Sequence, residues 1–191
     1  MDVTVVPITL HPKAESFLFE HYVTVNRVFS NVLGQLETEY LAIALINANG
    51  QMFFFSSKPS IQQNLIEQDL WSFYGSYQAD FINQEHPKLW SELNHGIHAD
   101  LIKKFMHAHG LSTGIAIPTE YNHYKAIFSF GFKQVNPFTQ NKTPLHCKQL
   151  LTLGKYCLRE FKERLLFPDE QKNTVSKPHL QLIINNEVVY E

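Results

Sequence analysis

Cysteine is nearly missing from this 191-residue chain, which holds 2, Cys147 and Cys157. Carried on one helix they would stand about 15 Å apart at a rise of ~1.5 Å per residue, beyond disulfide reach. With no third thiol to pair with, both are read as buried thiols in a reducing, cytoplasmic setting. Glycine is also sparse, at 8 residues. There is no Walker loop, no Gly-rich dinucleotide turn and no G-x-S-x-G elbow to cradle a phosphate or present a serine. No window approaches the ~18 uncharged apolar residues of a membrane span, and the first ten residues lack a basic lead-in. Neither a span nor an export leader is expected. A surplus of positive charge is missing too: 16 Lys and Arg face 18 Asp and Glu, for a net charge of -2. The basic residues are scattered, whereas a nucleic-acid binder gathers them to displace counterions from phosphates, so no direct nucleic-acid contact is expected.

Apolar material is plentiful. Hydrophobic residues make up 44% of the chain and aromatics 13%, with 15 Phe, 8 Tyr and 2 Trp. A sizeable core follows, and with it the chance of an aromatic-lined pocket. The length suits one folded domain over residues 1–168, then a polar linker, 169–178, and a β-hairpin-like tail, 179–191.

Along the chain, residues 1–10 are rich in β-branched side chains, with Pro7 removing a ladder donor, which suits an edge strand or an irregular arm. From Glu15 onward, Leu18, Tyr22, Val25, Phe29, Val32 and Leu36 recur at three-four spacing and predict one long helix. Residues 40–47 and 51–57 flank Asn49-Gly50 as a hairpin. Pro59 opens a helix to about Glu67, and a short helix holding Trp71, Phe73, Tyr74, Tyr77 and Phe81 follows it. Pro87 leads into a helix striped by Trp90, Leu93, Ile97, Leu101 and Phe105 that stops at Gly110. Residues 111–118 and 124–132 read as a second hairpin, and Cys147 through Leu165 as a last long helix halted by Pro168. This order predicts an α/β (α+β) fold: a central antiparallel sheet of about five strands flanked by helices, as in PAS-like and GAF-like sensors.

Candidate chemistry is thin. His95, His98, His107 and His109 crowd one segment, but their spacing along a helix does not converge them as zinc ligands, so no metal and no cofactor are expected. His146 and Cys147 are neighbours that point about 100° apart on a helix, not a nucleophile with its base. The run W-S-F-Y-G-S-Y-Q-A-D, from Trp71 to Asp80, sets hydrogen-bond donors and an acceptor in an apolar wall, which could orient a small polar head while burying its tail. The plain alternative is an amphipathic helix whose aromatics fill core while Asp80 faces water.

Residues 17–166 resemble the autoinducer-binding domain of LuxR-type quorum-sensing transcription regulators. The resemblance rests on H-G-L-S-T-G-I-A-I-P, His109 to Pro118, followed by Y-K-A-I-F-S-F from Tyr124, and on the order Trp71, Tyr74 or Tyr77, Asp80, Trp90. It implies an acyl-homoserine lactone or related apolar or amphipathic ligand. Trp71 would donate its indole N–H, Asp80 would accept an amide proton, and Tyr74 or Tyr77 would bond the acyl carbonyl. Trp90 and Phe105 would form apolar wall, and Ser129 joins the candidate set. In the family a helix-turn-helix domain follows the linker, whereas the segment after Pro178 here reads as a β-like terminus. The expected function is therefore a sensor without its own DNA-binding segment and without enzymatic activity, working through protein contacts as a homo- or heterodimer with a regulator. Two alternatives stand beside it: a ligand-free interaction module on the same fold, and a small-acyl enzyme using Cys147, Cys157 or a histidine.

Overall fold

A computed structural model describes residues 6–170. The expected tail, 179–191, and nearly all of the expected linker lie outside the described residues. In chain order the elements are β1 (Thr9–Leu10), α1 (Ala14–Glu20), α2 (Tyr22–Ser30), β2 (Thr38–Ile46), β3 (Gln51–Ser56), α3 (Pro59–Glu67), α4 (Ala79–Ile82), β4 (Lys88–Leu89), α5 (Trp90–Leu93), α6 (Ala99–Ala108), β5 (Thr113–Tyr121), β6 (Tyr124–Phe132) and α7 (Pro144–Arg164). One six-stranded sheet runs in the order β1-β3-β2-β6-β5-β4. The fold is mixed α/β with helices around that sheet, in the class the sequence predicts. The two hairpins supply its antiparallel centre, joined where β2 pairs with β6. The sheet has a sixth strand because β4, a two-residue strand against Ala116 and Ile115, forms where a helix was expected. Its other edge is not antiparallel, since β1 pairs with β3 in parallel.

Side chains alternate across a strand, and here the two faces differ in size. Leu41, Ile43, Phe53, Phe55, Phe128 and Phe130 fill one face beneath α1, α2 and α7. Phe55 stacks on Phe161 of α7 with ring centres 4.5 Å apart, and Phe17 of α1 meets Phe53 and Phe55 edge-on. The opposite face carries Ala42, Ala44, Gly114, Ala116, Ser129 and Gly131, with Tyr40 and Phe54 among them.

Three expected helices are interrupted. The first breaks at His21 (φ -119, ψ 24) into α1 and α2, because the two halves follow different partners: α1 packs on β3 and α3, α2 on α7. The aromatic run becomes two 3₁₀ turns, Trp71–Phe73 and Gly75–Tyr77, and the single turn α4. The third divides into α5 and α6 where Asn94 turns extended (φ -88, ψ 104) and its side chain accepts the Gly75 N–H at 2.9 Å. That break resets the helical phase. Ile97 is 91% exposed and Leu101 48%, and Ile102 and Met106 face the core instead. The second hairpin is longer than expected, with β5 continuing to Tyr121.

The last helix forms as expected, with Thr143 capping it by accepting the His146 N–H. It lies so close to the sheet that a Cβ on Gly154 would come within 2.2 Å of the Phe128 ring. Helix propensity alone would make Gly154→Ala stabilising by ~1 kcal/mol, whereas overpacking costs about 1–3 kcal/mol. We expect packing to decide the sign: Gly154→Ala lowers the urea midpoint of unfolding. A raised midpoint would show that α7 can lift from β6 freely.

Candidate functional site

The small residues of the second face leave room for large rings brought in from outside the sheet. Trp90, the first residue of α5, lies directly over β5 and β6. A Cβ on Gly114 would stand 2.2 Å from its indole, and one on Gly131 2.9 Å. Its Nε1 donates to Ser129 Oγ at 3.1 Å. Tyr40 meets the indole edge-on at 6.1 Å, and Tyr40 Oη accepts a hydrogen bond from Gln62 Nε2 of α3. Tyr74 is the extended residue (φ -72, ψ 119) between the two 3₁₀ turns. Its ring stands 4.9 Å from that of Tyr77, which in turn covers Phe54 at 5.3 Å. The bend at Tyr74 and the Gly75–Asn94 hydrogen bond turn Tyr74 and Tyr77 onto the sheet together.

Among the described residues no carboxylate, ammonium or imidazole belongs to this cluster. Its titratable groups are three phenols, all held well above their ordinary pKa, chiefly by burial. The neighbouring Tyr77 phenol adds to the rise for Tyr40 and Tyr74. The polar side chains nearby, Gln62 and Ser56 for Tyr40, Gln62 for Tyr77, and Ser129 and Ser76 for Tyr74, oppose that rise without overcoming it. Two polar atoms in the same region, Gln62 Oε1 and Ser76 Oγ, are buried without an aligned hydrogen-bond partner.

Of the residues singled out in the sequence, the structure brings together Tyr74, Tyr77, Trp90 and Ser129. Trp71 is half-buried in the first 3₁₀ turn, and Asp80 is exposed in the first turn of α4. Phe105 is half-buried on α6 with its ring 4.8 Å from that of His109. Among the described residues no side-chain hydrogen bond or ring contact ties Trp71, Asp80 or Phe105 to the cluster; the Trp71 carbonyl accepts the Tyr74 backbone N–H at 3.2 Å. Tyr40 and Gln62 escape a reading by motif, although Gln62 did leave a signal: it is a polar residue on the buried face that α3 forms with Ile61 and Leu65.

Among the described residues four open clefts stand out on the surface of the domain. Trp90 lines one of about 260 Å³ with Asn94, Ile102, Met106 and Thr113. The largest, about 840 Å³, follows the β5 edge past Pro87, Pro118 and Lys148. Trp71, Tyr74, Tyr77 and Asp80 line none of the four. The two thiols are unlike nucleophiles, since burial raises both and pushes Cys157 up to about 12. Among the described residues no three His, Cys, Asp or Glu side chains gather as a metal site would require, and no helix is long and apolar enough to cross a membrane.

The bond between Trp90 and Ser129 is open to a double-mutant cycle. Ser129→Ala should destabilise the domain by about 1–3 kcal/mol, because the buried indole N–H loses its acceptor. In the Trp90→Phe background, where no donor remains, the same change should cost less than half as much. Equal costs in the two backgrounds, measured by urea unfolding, would show that the bond contributes nothing.

No family model matches the chain, and no curated protein matches it. Solved structures do. The crystal structure of Escherichia coli SdiA superposes with a TM-score of 0.56 at 15% identity, over 78% of this chain and 66% of that one. SdiA in complex with octanoyl-rac-glycerol gives 0.56 at 13%, over 78% and 65%. CepR2 from Burkholderia cenocepacia, an N-acylhomoserine lactone dependent LuxR family transcription factor, gives 0.50 at 9%, over 78% and 94%. The chain thus spans just under two thirds of these two SdiA chains. At these identities the likeness is one of fold: the helix-flanked six-stranded sheet matches the fold of LuxR autoinducer-binding domains.

Proposed function

We propose that this domain is a small-molecule sensor, in which residues 71–93 close over the small-residue face of the sheet and hold an amphipathic acyl compound, an acyl-homoserine lactone or a relative of it. Tyr74, Tyr77, Trp90 and Ser129 are its contact residues, while Trp71, Asp80 and Phe105 lie at the margin of the cover. One observation carries the reading: a buried aromatic cluster dotted with hydroxyl and amide groups, between an Ala/Gly/Ser sheet face and a cover made of single turns. Aromatic walls with a few placed polar groups are how proteins orient small amphipathic molecules. A cover of single turns has few cooperative backbone bonds and opens at low cost. The fold shared with SdiA and CepR2 agrees with this reading. The bound state would be passed on through protein contacts, for which the exposed Phe19, Tyr22 and Val23 of α1 and α2 supply apolar surface.

A second reading has an observation of its own. Tyr74, Tyr77 and Trp90 are 2–5% exposed, a packing that would also suit a ligand-free interaction module. Thermal unfolding separates the two. At a concentration 100 times the Kd, a ligand bound only by the folded state adds about 2.7 kcal/mol, or about 5–10 °C in Tm for a domain of this size. We expect such a shift with at least one of octanoyl-rac-glycerol and N-octanoyl-homoserine lactone, together with slower amide exchange across residues 71–82. No shift across a chain-length series of both would leave the packed-module reading.

A further inference from the structure

We infer that Gln62 reads the polar head of the ligand, and that this head is neutral and bears both a hydrogen-bond donor and an acceptor, as a hydroxyl or amide group does, rather than a carboxylate. The inference rests on the sensor reading above and adds to it the chemistry of the head and the residue that selects it.

Gln62 is 1% exposed on the inner face of α3. Its amide is half used: Nε2 donates to Tyr40 Oη, while Oε1 accepts nothing. An acceptor at that depth without a protein partner is costly. A phenol both donates and accepts, so whichever end of the amide faces Tyr40, the other end is left without a protein partner. On the cover, Ser76 is 0% exposed and its hydroxyl likewise lacks an aligned partner. A ligand hydroxyl or amide N–H donating to Gln62 Oε1 would complete it, and a second polar atom on the ligand would serve Ser76 Oγ.

The surroundings exclude charge. The cluster's other polar groups are the phenols of Tyr40, Tyr74 and Tyr77, the hydroxyls of Ser56 and Ser129, and the Trp90 N–H. The carboxylates of the cover, Asp80, Glu85 and Glu92, are all exposed. The burial that keeps the three phenols protonated would equally disfavour a ligand carboxylate, with no cation present to balance it. A neutral head pairs with Gln62 without that penalty.

The test uses the full chain and three probes with the same acyl length: octanoyl-rac-glycerol, N-octanoyl-homoserine lactone and octanoate, titrated calorimetrically at pH 7.5. The wild-type protein should bind one or both neutral probes at least tenfold more tightly than octanoate. Gln62→Leu should weaken the neutral probe at least tenfold, whereas Gln63→Leu, on the Glu67 side of α3, should not. If Gln62→Leu does not fold, Gln62→Met, which keeps the length of the side chain, takes its place. Octanoate binding as tightly as the neutral probes, or a Gln62 variant binding like wild type, would overturn the inference while the sensor reading stands. Failure of wild type to bind any of the three would remove both.

Discussion

The indole of Trp90 resting on bare backbone at Gly114 and Gly131 is the contact on which the second layer of this domain depends. Two neighbouring strands each omit a side chain at the same level of the sheet, and one large ring fills the gap. Because the ring starts α5, its depth sets the height of that turn above the sheet. Asn94, just beyond α5, then sets the height of the cover through its hydrogen bond to Gly75. Gly75 opens the 3₁₀ turn that brings Tyr77 down onto Phe54. A methyl group at either glycine would push against an indole already held by Ser129, and the displacement would pass through Asn94 to the cover.

The two faces of the sheet divide the work. Phenylalanine dominates the face beneath α1, α2 and α7, where its rings interlock at 4.5–6.1 Å, with His11 and Tyr124 as the polar rings against Phe53. Dispersion and burial make that side the stable half. On the opposite face tyrosine and tryptophan replace phenylalanine, and each brings a donor that must find a partner. Gln62, Ser129, Ser56 and Ser76 answer that need, two of them incompletely. A side held by polar pairs among rings, beneath single turns, is the side suited to rearrangement.

The hairpins around Asn49-Gly50 and before Phe132, the helix after Pro59 and the long helix through Cys157 were legible in the sequence because each rests on a local signal: β-rich runs either side of a polar turn, a first-turn proline, or three-four apolar spacing. The α/β class followed from their order. The segment from residue 71 to 109 was not legible in the same way. Its aromatic spacing suits a helix, but Tyr74 is extended and Asn94 leaves the helix to hold Gly75. Both departures answer to residues far away in the chain. For the same reason Tyr74, Tyr77, Trp90 and Ser129 could be nominated from their types and order, while the pairing of Gln62 with Tyr40 could not, since 22 positions separate them.

Local pattern and composition therefore determined which segments are strands and long helices, and that their apolar faces would build one core, because those choices turn on spacing within a few residues. Tertiary structure alone decided where the helices break, which rings lie on the glycine and alanine face, and which amide they surround. Those outcomes are set by the space left between strands and by polar groups that burial forces to find partners.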